Sequence, residues 1–132
     1  MVDAELHRFD ERYALGADAM VAVERQALGT DYGANGYTTL AEADEIGAVL
    51  DLRTGSHLLD LGSGCGWPGL HLARRSGCRL TSADPVATGV ARSVERARND
   101  GITAHLGVVA DGAELPFVAA TFDAIVHVDV LC

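Results

Sequence analysis

From Leu58 to Ala73 the chain reads LLDLGSGCGWPGLHLA, an apolar strand-like run, then a loop holding Gly62, Gly64, Gly66 and Gly69, then a helix-like run. A loop so poor in side chains lets a ligand reach the backbone itself. The strand, loop and helix also constrain the fold, because strands separated by helices belong in a parallel sheet with right-handed crossovers.

The rest of the chain repeats that cycle. Residues up to about Leu28 read as helical, with Met20, Val23 and Ala27 on one stripe and Gly29 placed to stop the helix. GTDYGANGYTT reads as a loop. Thr39 opens the next helix with a capping box, T-L-A-E, in which the threonine and Glu42 satisfy each other's amides. Leu40, Ala43, Ile46 and Leu50 form its buried face, and Arg53, Thr54 and Gly55 end it. The first strand is His57 to Leu61, followed by a helix with Pro68 near its first turn and Gly77 just past its end. CRLTSA is the second strand, Val86 to Asn99 the next helix with Val86, Val90, Val94 and Ala97 on one face, and AHLGVVA the third strand. FDAIVHVDV is the fourth, apolar enough to be covered on both faces. The fold class is therefore α/β, a Rossmann-like doubly wound parallel sheet of about four strands. Residues 1–36 form an N-terminal helical cap segment and residues 37–132 the core.

Charge and cysteine content narrow the function classes. A net charge of -9, with ten cationic residues, leaves no footprint for gripping a phosphate backbone, so nucleic acid is not the expected partner. No apolar run is long enough to span a membrane, no signal-peptide pattern opens the chain, and a cytoplasmic location follows as the expectation. Cys65, Cys78 and Cys132 are odd in number and widely spaced, which suits reduced, inert thiols and no metal site.

Two fingerprints overlap in the glycine loop. Gly64, Gly66 and Gly69 satisfy the dinucleotide pattern G-x-G-x-x-G, whereas Asp60, Gly62, Gly64 and Gly66 give D-x-G-x-G-x-G. A dinucleotide would bring a pyrophosphate beside the Asp60 carboxylate, and like charges repel. A ligand carrying an ammonium and a sulfonium suits that carboxylate better. An NAD-binding oxidoreductase domain remains the alternative, using the same glycines with Asp84.

Asp60 to Gly66 resembles motif I of the class I S-adenosylmethionine-dependent methyltransferases, and the likeness extends over Tyr37 to Cys132. What the resemblance implies is methyl transfer from S-adenosylmethionine to a small-molecule acceptor. Motif I would pass under the methionine and ribose parts of the cofactor. Asp84 matches the acid that takes the ribose hydroxyls, although Asp-Pro is also a common turn initiator. Asp111, in VVADGAELPF, matches the acid that contacts adenine, and the fourth strand matches the small-molecule branch, with His127 lining the cofactor. The implied cofactor-binding set is Tyr37, Thr38, Asp60, Gly62, Ser63, Gly64, Gly66, Asp84, Asp111, Gly112 and His127.

His127 and Asp129 fall two apart on the expected fourth strand and so on one face, where His127 is either a packing histidine or the candidate general base. Trp67 shapes the helix entry, and Tyr13, Tyr32 and Tyr37 are available to a substrate pocket. The resemblance implies the strand order 3-2-1-4, an incomplete sheet, since the family's sheet has further strands whereas this chain stops at its fourth. The expectation is a fragment or a strand edge covered by another chain, with self-association through that edge. A non-catalytic module that binds the cofactor or a partner stays open as the reading from a different class.

Overall fold

The computed structural model describes every residue except 1, 16, 17, 34, 35, 131 and 132. Three helices come first, α1 (Val2–Leu15), α2 (Asp18–Leu28) and α3 (Leu40–Leu50), followed by β1 (His57–Leu61), α4 (Gly69–Ser76), β2 (Arg79–Asp84), α5 (Ala87–Asn99), β3 (His105–Val109) and β4 (Ala124–Val126). The strands form one sheet ordered β3-β2-β1-β4. All three pairings are parallel, with Asp60 opposite Ser82 on β2 and Val126 on β4.

Register and alternation decide which residues meet. Leu58 pairs with Leu80, and both point to the side where Leu70 and Leu72 of α4 and Ala97 of α5 complete the core. Ile46 and Leu50 of α3 pack on the same cluster, so α3, α4 and α5 share one face of the sheet. Gly107 of β3 admits α5 there, since an added Cβ would stand 2.8 Å from Val90 Cγ1. On the other face Leu59, Thr81 and Ala83 are buried, while Leu106 and Ile125 on the outer strands are exposed. Phe122 packs at a tilt against His57 there, and Phe117 packs edge-on against Phe122.

Local signals set the helix ends. Thr39 and Glu42 make the reciprocal capping box, and Gly77 closes α4 in the left-handed region at φ 75°. Helix α3 ends earlier than its sequence suggests, at Leu50, with Asp51 taking the left-handed position. The N-terminal stretch is two helices, and the Met20, Val23, Ala27 stripe of α2 faces solvent. The inward residue is Glu24, whose two carboxylate oxygens accept from the amides of Tyr32 and Gly33 at 2.8 Å each. Two unpaired loop amides outweigh a modest apolar stripe.

Strand β4 is the largest departure. Pairing stops at Val126, so His127 and Asp129 do not lie on a strand, and Asp129 sits at φ 56°. A run of apolar residues extends only as far as it has a ladder partner, and β1 ends at Leu61. Ile125 is 57% exposed, so this strand is not covered on both faces. Cys65 and Cys78 are free and buried, and Cys132 lies outside the described residues. Among the described residues no helix is long and apolar enough to cross a membrane.

Candidate functional site

The carboxyl ends of β1 and β2 carry the glycine loop and two of the acids. Asp60 is 1% exposed, and its Oδ2 accepts from the amide of Gly69, the first residue of α4, at 3.0 Å. A carboxylate there meets the positive end of the helix dipole. Only glycine permits the approach, because a Cβ at position 69 would stand 2.4 Å from that oxygen. Burial pushes the Asp60 carboxyl up to about 7, against the pull of the Gly69 amide and with added repulsion from Asp84. The sequence reading faced this carboxylate toward a cationic ligand. In the structure it lies beneath the loop and does not line the cleft. It also occupies the helix N-terminus on which a dinucleotide would seat its pyrophosphate.

The loop is tied down by backbone bonds. Gly62 and Ser63 donate to the Ala83 carbonyl at 2.8 and 3.2 Å, and Gly66 donates to the Ser63 carbonyl at 2.8 Å. Asp84, at the end of β2, clamps it from the side: Oδ2 accepts from Gly64 and Oδ1 from Val86, both at 2.8 Å. Burial raises the Asp84 carboxyl above the usual range, with the two amides pulling it back. Each carboxylate oxygen has a second lone pair, so Asp84 can still accept from a ligand. Ser63 adds a buried hydroxyl that finds no partner in the protein.

A cleft of about 240 Å³ lies over these groups. Gly62 to Cys65, Asp84 to Val86, Val128 to Val130 and Trp67 line it, and α1 contributes Leu6, Phe9 and Tyr13. Tyr13 packs on Cys65 and Val86. Its hydroxyl stands so close to the loop that a Cβ on Gly64, itself at φ +50°, would be 2.8 Å away. Burial, then the nearby Asp84 charge, raises the Tyr13 phenol, which is therefore neutral and a donor.

Thr38, Tyr37, His127, Asp111 and Gly112, singled out from sequence, do not line this cleft. Thr38 is buried and fixed: its amide and hydroxyl donate to Asp129 Oδ2 at 3.0 and 2.7 Å, and its carbonyl accepts from Trp67 Nε1 at 2.9 Å. Tyr37 is 82% exposed. His127 is exposed, with Nδ1 2.8 Å from the Leu61 carbonyl. A carbonyl only accepts, so Nδ1 carries the proton and Nε2 of the neutral ring is left as an acceptor. Asp111 lies two residues past β3, exposed, and accepts from Ala113 at 2.9 Å in a turn, with Gly112 beside Leu61. Sequence reasoning missed Leu6 and Phe9. Their spacing with Tyr13, three and four residues apart, is the stripe that was available to find them.

An adenosyl ligand needs an acceptor for ribose hydroxyls, a close backbone approach and apolar walls, and Asp84, the loop at Gly62 to Gly64, and Val86 with the α1 side chains provide them. The residues present fit such a group.

Comparison with known proteins bears on the family and the fold. The methyltransferase-domain family profile matches residues 58–132. The chain belongs to the methyltransferase-domain family. This methyltransferase domain is 32% identical over 126 residues to the 27-O-demethylrifamycin SV methyltransferase of Amycolatopsis mediterranei (strain S699), covering 86% of this chain and 44% of that protein. A S-adenosylmethionine-dependent methyltransferase from Thiobacillus denitrificans, solved with S-adenosyl-L-homocysteine, superposes with a TM-score of 0.60 at 27% identity, over 67% of this chain and 36% of that one. Another from Geobacter sulfurreducens, solved with the same molecule, gives 0.54 at 25% identity, over 72% and 37%. The methyltransferase domain thus spans less than half the length of these relatives.

Proposed function

We propose that the cleft takes S-adenosylmethionine and that the domain serves methyl transfer to a small-molecule nucleophile. The observation that carries this reading is the Asp84 clamp, a buried carboxylate fixed across the glycine loop at the end of β2 with lone pairs left for a diol. When bound, S-adenosylmethionine supplies an electrophilic methyl group on a positively charged sulfur. Asp84 would hold the ribose hydroxyls, and the backbone from Gly62 to Gly66 with Ser63 would lie against the methionine and ribose parts. Asp60 acts through the loop, by holding α4 under it. The family resemblance alone assigns Tyr37 and Thr38 to the carboxylate end and Asp111 with Gly112 to the adenine, and all four stand outside the lining of the cleft.

Catalysis in such a transfer comes mainly from holding two reactants in line and excluding water, and the apolar walls from Leu6 and Phe9 of α1 and from Val128 and Val130 serve that exclusion. His127 is the group assigned to accept a proton, at Nε2, from an oxygen or nitrogen nucleophile that must lose one. The rifamycin-modifying relative supports a small-molecule acceptor. The free, buried thiols go with a cytoplasmic location. Titration calorimetry tests the reading: S-adenosylmethionine and S-adenosylhomocysteine bind, and NAD binds more weakly or not at all. Tighter binding of NAD overturns it.

A further inference from the structure

The cleft carries charge of one sign. Its lining includes two carboxylates, Asp84 and Asp129, and no arginine, lysine or histidine. Asp84 ends β2 and Asp129 follows β4, with β1 and its glycine loop between those strands. The two acids are not equivalent. Both oxygens of Asp84 hold loop amides. Asp129 is committed through one oxygen: Oδ2 accepts from the Thr38 amide at 3.0 Å and from its hydroxyl at 2.7 Å, whereas Oδ1 has no hydrogen-bond partner among the described residues.

Several residues fix this carboxylate in place. Asp129 takes the left-handed backbone at φ 56°, which aspartate and asparagine tolerate better than most residues. Gly36 makes room for it, because a Cβ there would stand 2.4 Å from Oδ2. Its neighbour Val130 lies directly against the glycine loop, where a Cβ on Gly62 would be 2.5 Å from Val130 Cγ2. Asp129 is exposed, so its second oxygen is open to a ligand.

Charge separates two ligands of almost the same shape. S-adenosylmethionine, with a sulfonium, an ammonium and a carboxylate, is a cation overall, and S-adenosylhomocysteine, without the sulfonium, is neutral overall. Methyl transfer forms the bond from acceptor to carbon and breaks the carbon–sulfur bond, leaving its electron pair on sulfur, so the cofactor loses its positive sulfur. A fixed carboxylate attracts the cation and acts much less on the neutral product. Opposite charges about 4 Å apart in water alter affinity by about fivefold. We propose that Asp129 is a specificity-determining residue that reads the sulfonium charge, strengthening the hold on S-adenosylmethionine and giving up that share of the hold once the methyl group has gone. This role rests on the cofactor reading given above.

Titration calorimetry on the wild type, Asp129→Asn and Glu45→Gln tests it. Asparagine keeps the shape, suits the left-handed backbone and still accepts from Thr38, so the charge alone is lost. Glu45→Gln removes an equal charge outside the cleft lining and measures what the general acidity of the chain contributes. Asp129→Asn weakens S-adenosylmethionine about fivefold and S-adenosylhomocysteine by no more than about twofold, and Glu45→Gln changes neither. Within the wild type, added salt weakens S-adenosylmethionine more than S-adenosylhomocysteine, since an exposed charge pair is screened, and this needs no substitution. Equal losses for the two ligands in Asp129→Asn, no loss there, the same loss in Glu45→Gln, or equal salt slopes in the wild type overturn the charge reading and leave the cofactor reading standing. Failure of the wild type to bind either ligand overturns the cofactor reading, and the role of Asp129 with it.

Discussion

Asp60 shows how one side chain can be conspicuous in a sequence and still be placed differently by the fold. Its position before the glycines was legible, but whether its carboxylate looks up into a cleft or down onto a helix depends on where α4 lands. Strand alternation settles this, because Asp60 shares the face of Leu58, which packs on α4. The consequence is a pH dependence. A carboxyl raised from 3.8 to about 7 on folding stabilises the fold most below pH 4 and loses that contribution as pH rises through 7. Between pH 5 and pH 8 the loss from this group is roughly 2–3 kcal/mol. Burial disfavours protonation of His57 and His105, which pull in the opposite direction as pH falls. Urea unfolding of wild type and Asp60→Asn at pH 5 and pH 8 isolates the effect: the wild type loses more stability on going to pH 8, and the variant loses the difference. Asp84 was legible in position, at the end of β2, whereas its bonds to the amides of Gly64 and Val86 came only with the folded loop. Asp84→Ala removes charge-assisted bonds worth about 1.5–3 kcal/mol, so calorimetry finds S-adenosylhomocysteine binding weakened by roughly ten- to a hundredfold.

Among the elements, those defined by their own residues were read closely, and those defined by a neighbour were not. Helix α3 begins where Thr39 and Glu42 say it must, since a capping box is a contract between residues three apart. Thr39→Ala therefore costs about 1 kcal/mol, measured as a lower urea midpoint with an unchanged m-value. Helix α2 is the contrary case. Its stripe of Met20, Val23 and Ala27 has the right spacing, yet the helix turns Glu24 inward because the loop after it needs an acceptor. Strand β4 ends after three residues for a similar reason: its sequence favours extension, but a ladder needs a second strand. The same limit hid Leu6 and Phe9, whose stripe is visible in sequence but whose destination, the cleft, is a property of how α1 lies on α5.

At the scale of the whole molecule, one face of the sheet is covered by α3, α4 and α5, while Ile125 and Leu106 are exposed on the other and β4 is an edge. An apolar edge strand without lysine or proline is a template for another strand. We propose that the chain self-associates there. Light scattering on eluted protein shows species larger than the monomer, and Ile125→Lys, which puts a charge on that edge, shifts them toward monomer. With a net charge of -9 on each chain, association strengthens as salt screens the repulsion; monomer alone for the wild type at every salt concentration sets the proposal aside. The bond between Thr38 and Asp129 has a different consequence, one of timing. These residues are 91 positions apart. At roughly 5–20 residues per second a ribosome needs about 5–18 seconds to travel from one codon to the other. For at least that interval the nascent segment at Thr38 has no Asp129 to hold it, and the stretch leading into α3 lacks this anchor until residue 129 has been made.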